Sequence, residues 1–268
     1  MLDFLALLYH QGLGYSALNT ARSALASIIS LQNNHYIGTH PLVKRFFRGV
    51  FLQRPSLPKC GVTWDVSIVL NTLRSMAPSV DLSLLDLSRK LVTLLAILTG
   101  QRAQTLHVLN IHNITVSDSW IKLRTGELLK QSRPGYHLPE LSLASYPDEP
   151  NICVVTLLRL YLNRTHELRG SAGQLFISSQ APHRPVTRST ISRWIKDILR
   201  KAGIDLSIFT PHSTRAASTS AALAKNVPLH TILRTAGWSS DCSFRKYYNK
   251  PVVQDLNMFS EQLLSFNV

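Results

Sequence analysis

Residues 88 to 99, SRKLVTLLAILT, carry no charged side chain from Leu91 onward, and Gly100 stops the run. A helix that is apolar on every side has to be covered on every side. The apolar stretch, Leu91 to Leu98, is far shorter than the roughly 20 residues a bilayer crossing needs. The segment therefore reads as a helix buried in a protein core, with its neighbours supplying the cover.

The rest of the pattern supplies such neighbours. The first fifty residues read as helical, with Ala17, Ala21, Ala24 and Ile28 at helical intervals. Residues 54 to 65, RPSLPKCGVTWD, hold two prolines and a glycine and are the best linker candidate. Either Thr63 or Asp65 can cap the helix that follows through Val69 and Leu73. Alternation around Ile114 to Val116 and Trp120 to Leu123, then near Leu128 and Leu138, predicts a small antiparallel sheet. Helical character returns from Val154 to Leu162 and from Ser189 to Lys201, closed by Gly203, and the last sixty residues read as three short helices. The fold class expected is mostly α with a small antiparallel β-sheet (α+β). A short helical N-terminal region, residues 1–58, would precede a larger domain, residues 59–268.

Charge narrows the partner. The 268 residues hold 29 Lys and Arg against 15 Asp and Glu, a formal charge of +14. That excess points to a polyanion, nucleic acid above all. A membrane surface fits less well, because the basic residues are spread along the chain and flank no apolar segment. The start, MLDFLALLYH, lacks a basic n-region and a small-residue cleavage site, so it does not read as a secretory signal. Cys60, Cys153 and Cys242 are too scattered for a metal knuckle or a disulfide framework. A reducing interior is the expected setting, and no cofactor or metal is expected.

Four segments carry candidate chemistry. In TPHSTRAAS, residues 210 to 218, Thr210 suits an N-cap and Pro211 the first helical position. His212 and Arg215 then share a face beside exposed helix amides, a natural phosphate cradle. In AGWSSDCSFRKYYNKP, residues 236 to 251, Gly237 ends one helix and Ser239 or Ser240 can cap the next. Tyr247 and Tyr248 lie on that helix about 100° apart, so only one can face a given site. In LTGQRAQTL, residues 98 to 106, Arg102 follows the buried helix on a rigid support. In ELLKQSRPG, residues 127 to 135, a hairpin tip presents Lys130 and Arg133. Alone, each has a plainer reading: a solvated face, a core aromatic, a surface arginine, a polar turn.

Their order is more specific than any one of them. Arg, a hairpin Lys, His-x-x-Arg, Trp and then Tyr is the motif order of the tyrosine recombinase (phage integrase) family, and the chain resembles it over roughly residues 60 to 255. Trp238 follows Arg215 by 23 residues, and the tyrosines follow Trp238 by nine and ten, gaps similar to that family's. The wording around them (KQSRPG, LFISSQAPHRPV, HSTRAAS) looks like the recombinases of DIRS-type retrotransposons and Crypton elements. The resemblance implies a catalytic domain with a helical N-terminal domain, acting on double-stranded DNA in the nucleus as a dimer to tetramer, without metal or cofactor. By position, Arg102 and Arg215 would clamp the phosphate oxygens and Lys130 would protonate the leaving 5′-oxygen. His212 would take or relay the tyrosine proton. Trp238 would donate its indole N–H to the phosphate and buttress the site. Similar elements carry Phe-Tyr-Asn where this chain has Tyr247-Tyr248-Asn249, which favours Tyr248 as nucleophile over Tyr247.

Two departures accompany the resemblance. Thr105 stands where the family often has an acidic residue that supports the first arginine. Residues 1 to 55 offer only two or three helices, fewer than a full DNA clamp, with His10, Arg22, Lys44, Arg45 and Arg48 as phosphate contacts. Arg184, Arg188, Arg193, Lys196, Arg200 and Lys201 surround the helix at 189–201 and read as a backbone-binding stripe whose affinity falls with salt. The rival reading is a captured recombinase domain that binds DNA without cutting it. Retention of all six site residue types argues against that. A type IB topoisomerase shares the Arg, Lys, Arg and Tyr chemistry, but the Trp238 spacing disfavours it.

Overall fold

The computed structural model describes residues 1–29, 37–55, 61–76, 78–130, 132–253 and 264–265. Two compact units divide it, Met1–Lys59 and Cys60–Val268. Residues 56–60 of the expected linker, with Cys60, lie outside the described residues.

The first unit contains α1 (Leu2–His10), α2 (Tyr15–Ile28) and α3 (Pro41–Gln53). Its core is small: Leu5, Leu18, Val43, Phe47 and Val50. Pro41 opens α3 with its fixed φ, and His40 accepts the Leu42 amide at Nδ1. The Arg54 guanidinium lies 3.9 Å over the Tyr9 ring and donates to the Tyr9 carbonyl at 2.7 Å, pinning the end of α3 to α1.

The second unit is built around the apolar helix. It comprises α4 (Val66–Ser75), α5 (Leu84–Thr99), α6 (Ala103–His107), β1 (Ile114–Val116), β2 (Trp120–Leu123), β3 (Leu141–Ala144), α7 (Val154–Thr165), α8 (Arg188–Lys201), α9 (Ser213–Ala224), α10 (Leu229–Ala236) and α11 (Asp241–Tyr247). Helix α5 is the axis, packed by α4, α7, α8 and α9. Ser83 caps it at the Asp86 amide, and Gly100 ends it with φ of +58°, a conformation costly to a residue with a Cβ. Among the described residues no helix is long and apolar enough to cross a membrane.

The sheet is antiparallel in the order β1-β2-β3, with Ile121 opposite Val116 and Leu143, and Leu123 opposite Ile114 and Leu141. Ile121, Leu123 and Leu141 point into the core, the period-2 burial of a one-sided sheet. The third strand is Leu141–Ala144, and Leu128 and Leu138 lie outside the strands. Pro139 removes a ladder donor and restricts Leu138 before it, so pairing resumes only after it.

Two cap assignments resolve or change. Asp65 caps α4 by accepting the Ser67 amide at 2.8 Å, while Thr63 pairs with the chain's far end: its amide donates to the Pro251 carbonyl and its carbonyl accepts from Val253, both at 2.8 Å. Thr210 is not the cap of α9. A tight turn intervenes, its Thr210 carbonyl taking the Ser213 amide at 2.8 Å, so the helix starts at Ser213 with His212 as its flanking residue.

Candidate active site

The end of α5 and the start of α9 carry the two arginines. Gly100 turns the chain so that Arg102, extended at φ −80° and ψ 155°, flanks the first turn of α6. Thr105 is buried and its hydroxyl donates to Gln101 Oε1 at 3.0 Å, while Gln101 Nε2 donates to the Thr235 carbonyl at 2.6 Å. A neutral chain of hydrogen bonds therefore ties α6 to α10.

Arg215 is the largest side chain that is fully buried, 1% exposed. Its Nη1 donates to the Gly100 carbonyl at 2.6 Å, and Cζ lies 3.9 Å over the Trp238 ring. Among the described residues, Nε and Nη2 are buried with no acceptor in hydrogen-bonding geometry, and the Tyr248 ring lies 5.3 Å from Cζ. Burial first, then the charge of Arg102, lowers its pKa to about 9. A guanidinium held dry with two nitrogens unspent is costly unless an anion completes it. A phosphate is the anion whose geometry a guanidinium fork matches.

Trp238 and Tyr248 close over this arginine. The rings of Trp238 and Tyr248 lie 4.8 Å apart, and Phe244 packs 5.5 Å from Trp238. Gly237, at φ +72°, ends α10 and lets Trp238 fold back to place its amide on the Leu233 carbonyl. Tyr248 follows the last residue of α11, and its hydroxyl lies 3.2 Å from His212 Nε2. Tyr247 is 57% exposed, so the two adjacent tyrosines do face different ways. Desolvation, then the charges of Arg102, Arg215, Lys130 and Lys250, hold the His212 imidazole below its ordinary pKa. A neutral ring protonated at Nδ1 would accept the Tyr248 proton's hydrogen bond at Nε2.

A cavity of about 400 Å³ opens in front of these groups, lined by Arg102, Lys130, Arg188, Ser192, His212 and Tyr248. A second, of about 300 Å³, shares Arg102 and Lys130 and adds Arg133, Tyr136 and Trp238. Lys130 reaches both from the long connection between β2 and β3. It is positioned by buried Leu129, whose amide and carbonyl both bond Ser132 at 2.9 Å. The tight tip of that connection is Arg133–Tyr136, closed by two backbone hydrogen bonds with Gly135 at φ +75°. Lys130 thus stands beside the tip and Arg133 on it.

The expected amide cradle is not formed. The amides of Ser213, Thr214 and Arg215 already bond the carbonyls of Thr210, Pro211 and His212 within the turn, so side chains, and not helix amides, must meet an anion here. Arg193, Lys196, Arg200 and Lys201 lie on the exposed face of α8 and do not line the cavity, whereas Arg188 does. Arg200 is paired to Asp197 at 3.0 Å. In the first unit, His10, Lys44, Arg45 and Arg48 are exposed, while Arg22 sits 4.9 Å over the Phe47 ring. Sequence reasoning passed over Ser192, Tyr136 and the Thr105–Gln101 link, which no local pattern marks. Among the described residues no cluster of three or more His, Cys, Asp or Glu could hold a metal ion.

The phage integrase family model matches residues 69–252, more than half of the chain. No curated protein matches. Among solved structures, the XerA recombinase is 19% identical with a TM-score of 0.55, covering 98% of this chain and 88% of that one. The XerH site-specific recombinase, bound to a palindromic difH substrate after cleavage, is 16% identical with a TM-score of 0.62, covering 98% and 69%. The Tn1549 transposon integrase, in complex with transposon right end DNA, is 14% identical with a TM-score of 0.60, covering 98% and 84%. At these identities the likeness establishes the fold, a mostly helical domain with a small three-stranded sheet. The family match over α4 to the segment after Tyr248 goes further: the chain belongs to the phage integrase family, the tyrosine recombinases.

Proposed function

We propose that this chain cleaves and rejoins double-stranded DNA through a 3′-phosphotyrosyl intermediate on Tyr248, in the integration or excision of a mobile element. The observation that carries the reading is the stack of Tyr248 and Trp238 over buried Arg215, with the Tyr248 hydroxyl 3.2 Å from His212 Nε2. The Tyr248 oxygen attacks phosphorus and its proton passes to His212. The bond from phosphorus to the 5′-oxygen breaks, and the Lys130 ammonium gives that oxygen a proton. Arg102 and Arg215 hold the non-bridging oxygens as charge builds on them, which is usually the largest contribution to such a rate. Rejoining reverses the steps with a new 5′-hydroxyl, and the tyrosine ester conserves the bond energy.

In this reading no metal takes part, because five side chains provide the nucleophile, the acid, the base and the charge. Exchange between two duplexes requires four strand cuts, and one nucleophile per chain then calls for up to four copies. The element-like wording around the motifs supports a mobile-element origin and work in the nucleus, and the Tn1549 likeness is in keeping with the first. Arg133, Arg188 and the exposed face of α8 would contact the backbone on either side of the scissile phosphate.

The test is a nicked suicide duplex, taken from the DNA flanking the coding sequence and from random sequence, incubated with wild type, Tyr247→Phe and Tyr248→Phe. A denaturant-resistant adduct in wild type and Tyr247→Phe, absent in Tyr248→Phe and unchanged in chelator, is the expected result. Tight, salt-reversible binding without adduct on any substrate would make the chain a DNA-binding module.

A further inference from the structure

Tyr248 lies one residue past the end of α11, where φ is −124° and ψ −22°; its amide and that of Asn249 still donate to the Phe244 carbonyl, at 2.8 and 2.9 Å, but its own carbonyl has left the helix. That helix is only seven residues long and, of its residues, only Phe244 is buried. Such an element frays easily. Besides those amide bonds and the Trp238 ring, a further contact fixes the backbone that carries the tyrosine.

The side chain of Ser220 makes that contact. Ser220 is buried on α9, five residues after Arg215, and its hydroxyl serves two bonds at once. It donates to the Tyr248 carbonyl at 2.7 Å and accepts the Lys250 amide at 3.0 Å. A hydroxyl that both donates and accepts across a dipeptide fixes the backbone on both sides of residue 249. Just beyond, Thr63 pairs with Pro251 and Val253, so the chain after the tyrosine is fastened a second time. Trp64, next to Thr63, donates its indole N–H to Ser213 Oγ at 2.8 Å, beside His212.

We propose that Ser220 is a positioning residue that sets the aim of the nucleophile by pinning the Tyr248 carbonyl to the same helix that carries Arg215. The proposal rests on Tyr248 as nucleophile. Without the hydroxyl, the Tyr248 carbonyl and Lys250 amide lose this shared bond and the ring can shift relative to His212, and misplacement near 1 Å costs a reaction about 100-fold.

The experiment is single-turnover adduct formation on the suicide duplex at saturating DNA, with Ser220→Ala, Ser220→Thr and Ser220→Cys beside wild type. DNA affinity and thermal melting are recorded for each. Ser220→Ala is expected to slow adduct formation about 10- to 100-fold, with DNA affinity close to wild type and melting lowered by only a few degrees, well above the assay temperature. Ser220→Thr, which keeps the hydroxyl, restores the rate, and Ser220→Cys, a weaker donor of similar volume, falls between. A wild-type rate in Ser220→Ala overturns the proposal. So does a Thr variant that is folded yet as slow as Ala, or a rate that falls only in step with affinity or melting. A failure of the nucleophile assignment looks different: Tyr248→Phe would then keep its adduct.

Discussion

His212 sits among four cations and partly out of water, and both influences act in the same direction. They disfavour the imidazolium, so the neutral ring survives below the usual pKa of about 6.5. A group whose pKa is lowered delivers its neutral-form function above that lowered value and loses it only as pH falls through it. The pH profile of kcat/KM for adduct formation reports the free protein, before a phosphate adds its own negative charge. The rate is therefore expected to hold at pH 6.5 and to decline only in more acidic buffer, and that acid limb should disappear in His212→Gln along with most of the activity. A wild-type profile already half lost at or above pH 6.5 would falsify this account. The same crowding of charge bears on Arg215. Arg215→Lys keeps a cation but loses the stack on Trp238 and the fork that reaches Gly100, so adduct formation should drop by about 100-fold or more, while Trp238→Phe, which keeps a ring, should cost less.

Among the elements, α5 was the most legible in sequence, because a run with no charged side chain from Leu91 to Thr99 admits only one environment. The motif order named Arg102, Lys130, His212, Arg215, Trp238 and Tyr248 as candidates, and the fold gathers these six side chains around adjoining cavities. Other features were hidden for physical reasons. The third strand starts late because Pro139 withholds an N–H, which weighs more than the alternation near Leu128 and Leu138. The amides of α9 are consumed by the turn at Thr210, a matter of backbone geometry that the good N-cap residue masks. The Ser220 pin joins residues 28 apart through a backbone carbonyl, so no side-chain motif announces it. Lys90 shows the same limit: it precedes the apolar run, yet is 0% exposed within α5, and among the described residues Nζ donates only to Ser79 Oγ at 3.2 Å. Burial lowers its pKa to about 8. Because the folded state then resists protonation, Lys90 contributes most favourably above its unfolded pKa of about 10.5, and that contribution drains away as pH falls toward 8. Replacing it with an apolar side chain of similar length removes the penalty. Lys90→Met is expected to stabilise the second unit by about 2 kcal/mol at pH 7, with the gain shrinking between pH 8 and 10, as followed by urea denaturation. A constant or negative difference across that range would mean the ammonium finds more compensation than its single hydrogen bond suggests.

At the scale of the whole chain, the question is whether one copy holds a complete centre or borrows its nucleophile. Every group in the proposed reaction belongs to the second unit, and the tyrosine is tied to its own chain three ways: through Ser220, through the backbone pairing of Thr63, and through the Trp238 ring. Swapping Tyr248 into a neighbour would break the ties to Ser220 and Trp238, strain the pairing at Thr63, and take the tyrosine ring away from Arg215. The nucleophile should therefore serve the arginines of its own copy, even when several copies sit on paired DNA sites. Mixing Arg215→Ala with Tyr248→Phe tests this. Each mixture then contains one copy with a tyrosine but no clamp and one with a clamp but no tyrosine, so self-contained centres form no adduct at any ratio. Mixing either variant with wild type must still give adduct, in proportion to wild type, to show that assembly survives. Adduct from the double-variant mixture would mean that the tyrosine leaves its own chain, and the Ser220 and Thr63 ties would then have to open during assembly on DNA.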